Sequence, residues 1–333
     1  MTADDVERDI QLPGDDSMTA LTQDDVLETA LELYEQEAYA EAYAFVTAEV
    51  QQQGLKSGQI YNFRICLANL SGQSDLALRL FAEALAQGYW SNPDQMLADE
   101  DLLTLRDHVE FLRLLDICRG QQAAAQRTAQ PELRLMWPVT TPAPLLVALH
   151  GNQHNVADTA PAWEPLTAAG WCVALPQSSQ MAGPNAFVWN DLALATAEMR
   201  THAETLRQHP RVDFSRCVVA GFSMGARQAL WSVLEGIFPA RGLILLGPWL
   251  PELSAWAPLL PRLAETGTRT YVIIGDADQS CLPHAQALIA ALRGHNLPCE
   301  LELHPGMRHR YPPDFETSLR RALAYFGRLG TRI

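Results

Sequence analysis

The sequence predicts an α/β fold, a mostly parallel sheet with helices on both faces, preceded by an all-α region of stacked helices. Three observations carry this. Its 333 residues suggest about two domains at roughly 150 residues each. From Asp24 to Gly120 apolar residues recur at helical spacing. After Pro131 short apolar runs alternate with longer amphipathic stretches, the grammar of strands buried on both faces and joined by helices.

The elements follow in order. Residues 1–19 are acidic and poor in apolar side chains, which predicts a disordered tail. Val26, Leu27, Ala30, Leu31 and Tyr34 share one face of a first helix. Ala40 to Val50 forms a second helix ending near Gly54, Ile60 to Leu70 a third stopped by Ser71-Gly72, and Leu76 to Ala86 a fourth, capped by Asp75 and ended by Gly88. Ala42–Val46 aligns with Ala77–Phe81, and Gly54 with Gly88, at shifts of 35 and 34, with a poorer third copy over Leu105 to Leu115. A helix–turn–helix period of 34 resembles tetratricopeptide repeats, and a generic stack of helical hairpins accounts for it equally. Gln121 to Gln130 is a last helix or a linker, so the helical domain is set at 20–126 and the second domain at 131–333.

In the second domain Leu133 to Trp137 is an extra edge strand. Leu145 to Leu149 is a buried strand running into His150-Gly151, followed by a helix over Val156 to Ala169. Trp171 to Leu175 is the next strand, stopped by Pro176, and Asp191 to His209 is a long helix. Cys217 to Ala220, Leu243 to Leu246, Tyr271 to Ile274 and Cys299 to Leu303 are further strands. Between and after them, helices cover Ser223 to Glu235, Leu282 to Arg293 and Asp314 to Leu329.

Charge is concentrated at one end. Residues 1–50 hold 14 acids and one base, whereas residues 131–333 balance at 16 of each. Nucleic-acid binding, which needs a basic face, is thereby disfavoured, and the acidic run reads as a solvated tail and helix face. No run of about 18 apolar residues offers a membrane span, and the N-terminus does not read as a signal peptide. The six cysteines are widely spaced without a CxxC pair. Together these predict a cytoplasmic protein with reduced thiols, most of them buried.

The chemistry centres on Gly221-Phe222-Ser223-Met224-Gly225. The motif follows an apolar strand and opens an amphipathic helix, the setting of a nucleophile elbow. Ser223 has to stand on a tight turn clear of the sheet, and glycines on either side remove the Cβ atoms that would collide there. The helix N-terminus favours developing negative charge. Over residues 131–333 the chain resembles the α/β-hydrolase superfamily, whose chain order is nucleophile, acid, histidine. The resemblance implies an acid in Gly275-Asp276-Ala277-Asp278; the family's Gly-x-x-Asp selects Asp278, with Asp276 as the alternative carboxylate. It implies His309 as the base, from Gly306-Met307-Arg308-His309 after the last strand, with His304 a strand-end residue and His284 and His295 solvent-facing. The oxyanion hole would take the N–H of Met224 and that of Asn152, or its neighbour Gln153, in the His150-Gly151 loop. His150, His154 and Asp158 recur at four-residue spacing, but the strand-to-loop context accounts for His150, so no metal and no cofactor is expected.

Pro176–Gln180 and Trp189-Asn190-Asp191 are similar to the phospholipase/carboxylesterase and dienelactone hydrolase groups. The segments 178–189 and 247–261 are inserts able to wall an acyl pocket, with Trp189 and Trp249 as pocket residues or as plain packing. The expected activity is that of a serine hydrolase cleaving small carboxylic esters or thioesters through an acyl-enzyme. The alternatives are an acyl-peptide or oligopeptide hydrolase, and a helical interaction module with a vestigial hydrolase half. The helical region would bind a peptide in a groove, pack on the hydrolase half and restrict substrate access, or build a homodimer. Its short array favours the last two.

Overall fold

The computed structural model describes Leu21 and residues 23–327; the acidic tail of residues 1–19 and the end of the last expected helix, at Leu329, lie outside the described residues. Six α-helices come first: α1 (Gln23–Glu35), α2 (Tyr39–Gln53), α3 (Gly58–Leu70), α4 (Ser74–Ala86), α5 (Pro93–Ala98) and α6 (Val109–Gln126), with a 3₁₀ turn at Glu100–Leu105. Consecutive helices from α1 to α4 pack against one another. Their cores are two apolar clusters, one holding Val26, Ala30, Ala42, Val46, Ile60 and Leu67, the other centred on Phe81 and Phe111, whose rings lie 5.8 Å apart. Local chemistry sets the ends. Gly54 takes a left-handed φ of +68° and returns its N–H to Val50, a conformation a side chain disfavours. Ser57 accepts from the Ile60 N–H and Asn92 from those of Asp94 and Gln95, satisfying donors that a helix start leaves open.

The rest of the chain is a sheet sandwiched by helices. Its elements are β1 (Glu132–Met136), β2 (Ala143–Leu149), α7 (Val156–Trp163), α8 (Pro165–Ala168), β3 (Cys172–Gln177), β4 (Met181–Gly183), β5 (Ala186–Phe187), α9 (Leu192–Gln208), β6 (Val212–Phe222) and α10 (Met224–Leu234). Then come β7 (Ala240–Leu246), α11 (Leu253–Trp256), α12 (Arg262–Thr266), β8 (Arg269–Gly275), α13 (Leu282–Gly294), β9 (Cys299–His304) and α14 (Phe315–Phe326). The seven-stranded sheet has the order β1-β3-β2-β6-β7-β8-β9, all parallel except β1, which runs antiparallel to β3 at the edge. β4 and β5 form a separate small ladder.

The two-residue period of the strands divides the core. Leu145, Val147 and Leu149 of β2, with Val219, Leu245 and Val272, pack on one face under α9, α10 and α13. Leu146, Ala148, Val218, Ala220, Ile244 and Ile273 pack on the other, under α7 and α14. Burying one such side chain contributes about 1.5–3 kcal/mol, so these residues hold the strand ends, and the loops on them, in place.

Three local expectations are corrected. Asp75 does not cap α4; it sits in the first turn, where its charge faces the helix N-terminus, and Ser74 opens the helix with its hydroxyl on Asn69 Oδ1 at 2.9 Å. β3 runs through Pro176 to Gln177, because its pairing with β2 ends at Ala174 and only edge strand β1 continues alongside. The helix expected over 156–169 is two helices, the second opening at Pro165, which has no N–H to continue the first. The segment 105–115, read as a poorer third copy of the repeat, spans the end of the 3₁₀ turn at Leu105 and the start of α6, capped by His108.

The helical region packs on the sheet region. Gln126 donates from Nε2 to the Ser179 carbonyl (2.7 Å) and accepts the Met181 N–H (3.0 Å). Arg308 reaches Glu32 (3.3 Å) and Glu35 (3.2 Å) of α1. Arg310 reaches Asp25 (2.8 Å) and Glu28 (2.5 Å). No helix among the described residues is long and apolar enough to cross a membrane.

Candidate active site

β6 delivers its last residue, Phe222, to the carboxyl edge of the sheet, and α10 starts two residues later. Between them Ser223 adopts φ 56°, ψ −118°, a region non-glycine residues avoid at a cost of about 1–3 kcal/mol. Its surroundings enforce it: the Ser223 N–H is held by the Leu246 carbonyl at 2.9 Å. The flanking glycines are sterically required. A Cβ on Gly221 would lie 2.3 Å from the Gly225 carbonyl oxygen, and one on Gly225 would lie 2.3 Å from that of His150.

The other two chemical groups arrive on neighbouring strand ends. The loop after β8 carries Asp278 and the loop after β9 carries His309. His309 Nε2 lies 2.8 Å from Ser223 Oγ, and Nδ1 lies 2.6 Å from Asp278 Oδ2. Asp278 is buried, and its other oxygen accepts the Cys281 N–H at 3.0 Å. Asp276, the alternative carboxylate, is exposed and instead accepts the Gly306 N–H at 2.6 Å, tying the acid loop to the histidine loop. Phe222 supports the imidazole from the side, its ring stacked at 4.8 Å and 27°. His304 ends β9 beside Glu302 (3.0 Å).

Met224 is the first residue of α10, a position whose N–H has no acceptor within the helix. Asn152 and Gln153 both line the cleft over Ser223, and Gln153 holds a φ of +59°. The strand end beneath them is fixed by His150. This buried imidazole donates from Nδ1 to the Gly151 carbonyl (2.8 Å) and accepts the Ser178 N–H at Nε2 (3.4 Å). Burial lowers its pKa to about 3, so it stays neutral, as an Nε2 acceptor must.

The pocket tryptophans are corrected. Trp189 is fully buried behind His150, stacked at 4.6 Å, with Nε1 donating to the His150 carbonyl at 3.0 Å. Neither it nor Trp249 lines the cleft. Trp249 is half-buried, its ring 5.9 Å from the Arg227 guanidinium. Arg227 also binds the Trp189 carbonyl (2.9 Å) and pairs with Glu252 (2.5 Å), which lowers the Glu252 pKa. These side chains brace the loops from behind.

The cleft, of ≈ 480 Å³, is walled instead by the helical region: Leu27, Glu28 and Leu31 of α1, and Asn62 and Phe63 of α3, face Ser223, His309 and Tyr311. The sequence predicted that the helical region would pack on the hydrolase half and restrict access, but not which residues form the wall, and it missed the Phe222 support and the arginines on either side of His309. The signal was present as complementary charge: Arg308-His309-Arg310 against acids at 25, 28, 32 and 35, one stripe of a helix.

Among the described residues two clusters bring metal-ligand atoms within 4.8 Å: Asp278–Cys281–His309 and Cys66–Asp99–Asp101. Burial and the adjacent carboxylates raise both thiols, Cys281 up to about 12, and Asp278 and His309 are hydrogen-bonded to each other. His150, His154 and Asp158 serve separately: His150 is interior, His154 packs by Phe222 at 6.1 Å, and Asp158 accepts the Asn155 N–H at 3.2 Å in a capping box.

Residues 22–126 match the family model described as an A/B hydrolase-like N-terminal domain. Among solved structures, an uncharacterized protein from Bacillus cereus ATCC 10987 is 29% identical, covering 92% of this chain and 99% of its own, with a TM-score of 0.54. A dienelactone hydrolase-like promiscuous phosphotriesterase from metagenomic libraries is 14% identical over 61% of this chain and 95% of its own, with a TM-score of 0.50. Acyl-protein thioesterase 2 of Zea mays is 20% identical over 59% of this chain and 99% of its own, with a TM-score of 0.49. No protein of curated function matches the sequence.

Proposed function

We propose that this chain, whose fold is α/β-hydrolase-like with a helical region in front, is a serine hydrolase that cleaves carboxylic esters or thioesters through an acyl-enzyme. The observation that carries this reading is the continuous hydrogen-bonded chain from Asp278 through His309 to Ser223, on a serine held at a left-handed φ. A free serine hydroxyl is a weak nucleophile and needs such a base.

Ser223 Oγ forms a bond to the ester carbonyl carbon while its proton passes to His309 Nε2. The C=O electron pair moves onto oxygen, which the N–H of Met224 and that of Asn152 or Gln153 stabilise. Collapse breaks the bond to the leaving alkoxide or thiolate, which takes the proton from Nε2. Water then repeats the sequence on the acyl-enzyme. Asp278 holds the Nδ1–H tautomer and stabilises the imidazolium without itself taking the proton. The same bond chain weighs against an inert hydrolase half.

The test is Ser223→Ala against p-nitrophenyl esters, together with labelling by an active-site fluorophosphonate. The wild-type chain is expected to label once and turn over esters. The variant should not label, and its turnover should fall by about 10³-fold or more. Undiminished turnover in the variant would remove the reading.

A further inference from the structure

Resting on the hydrolase reading, we propose that the helical region supplies the acyl-binding wall: Leu27 and Leu31 of α1, with Phe63 of α3, receive the apolar chain of an ester of medium length whose carbonyl sits at Ser223. The apolar residues of α1 serve both the helical core and the cleft. Val26 and Ala30 are buried in the helical core with Ala42, Val46, Ile60 and Leu67. Leu27, which also packs partly against that core, and Leu31, one position on in each turn, line the cleft that Ser223 and His309 also line. Leu31 is 43% exposed. A lone exposed leucine carries little information, but one turned into a concave site beside a nucleophile forms part of a binding surface.

The charges around this wall are cancelled. Glu28 and Glu35 also line the cleft, yet both are bound to guanidiniums, Glu28 to Arg310 and Glu35 to Arg308. Gln59 and Asn62 are its neutral polar neighbours on α3. A neutral apolar chain therefore meets Leu27, Leu31, Phe63 and Phe222 without facing an unpaired acid among those residues. The cleft's ≈ 480 Å³ falls within the roughly 300–1,000 Å³ range of small-molecule pockets. Because the arginines flank His309 in the chain, the wall and the imidazole are clasped to each other, so an acyl chain bound on α1 is positioned relative to the base.

The test uses the full chain and a series of p-nitrophenyl esters from acetyl to dodecanoyl. In the wild type kcat/KM should rise at least about tenfold from acetyl to octanoyl. Leu31→Gln should cut octanoyl kcat/KM about five- to tenfold while changing acetyl less than about twofold. Leu31→Trp, which keeps the wall apolar but fills it, should move the optimum to shorter chains, so a folding defect in one variant does not decide the matter. A flat wild-type profile, or equal losses on short and long esters in both variants, overturns the proposal. Fluorophosphonate labelling separates the two levels: a labelled wild type with a flat profile counts against the wall alone, and an unlabelled wild type removes the hydrolase reading and the wall with it.

Discussion

At Ser223 the chain departs from a comfortable backbone, and the residues around it explain why the departure persists. Gly221 and Gly225 leave no room for a Cβ, and Leu246 holds the serine N–H. That much was legible, because a G-x-S-x-G between a strand and a helix admits few other folds. The acid was less legible: Asp276 and Asp278 stand two apart, and only the path of the loop turns one inward and the other toward Gly306. The two should separate in mutagenesis. Asp278→Asn is expected to lower kcat by about 10³–10⁴-fold through the wrong imidazole tautomer, whereas Asp276→Asn should cost less than about tenfold, both read in a steady-state ester assay. His150 gives a stability prediction. Its folded pKa is depressed to about 3 from about 6.5, so between those values the unfolded chain binds the extra proton and stability falls as pH falls. At pH 5 this amounts to about 2 kcal/mol relative to neutrality. His202, likewise depressed by burial, adds in the same direction. The melting temperature of His150→Gln should therefore change less between pH 7 and pH 5 than that of the wild type. Parallel slopes for the two proteins would refute the account.

Among the elements, α1 shows where periodicity informs and where it misleads. The apolar face read from Val26, Leu27, Ala30, Leu31 and Tyr34 is wider than the helical core needs, because part of it borders the cleft. The acids at 25, 28, 32 and 35 read as a solvated face, and their partners sit 273 to 285 residues away in sequence. No local rule pairs residues so distant; only the fold brings the histidine loop onto the helix. Each exposed ion pair is worth about 0–1 kcal/mol, so the clasp is a positioning device more than a source of stability. Arg308→Ala/Arg310→Ala should shift the melting temperature by only a few degrees. It should also raise KM for an octanoyl ester several-fold and make the α1–α2 region cleave faster in limited proteolysis. In the wild type, raising salt from 0.1 to 1 M should reproduce part of the KM change, because screening shortens the reach of these charges. An unchanged proteolytic pattern in the double variant would show that the arginines do not hold α1.

For the molecule as a whole, the contact between the two regions has a particular character. Each region has its own apolar core, at Phe81–Phe111 and on the two faces of the sheet. The hydrogen bonds and ion pairs between them join Gln126 to the Ser179–Met181 segment and the arginines to α1, and Met181 adds an apolar contact to the helical core. Interfaces of this kind allow one unit to open while the other stays folded. The proposed nucleophile, base and acid all belong to the sheet region, whereas the proposed acyl wall belongs to the helices; on that proposal the two regions divide chemistry from selectivity. The division was legible in part: the helices were expected to pack on the sheet region and restrict access, but the inserts at 178–189 and 247–261 were read as able to wall the acyl pocket, and their tryptophans, read as pocket or packing residues, brace loops from behind. Destabilising the helical core alone should therefore strip selectivity before activity. Phe111→Ala removes a fully buried ring and should cost the helical region about 3–5 kcal/mol. On heating, that variant is expected to lose its preference for octanoyl over acetyl ester at a temperature where acetyl turnover and fluorophosphonate labelling persist. If labelling and both ester activities vanish together at a single transition, the two regions unfold as one unit and the division of labour fails.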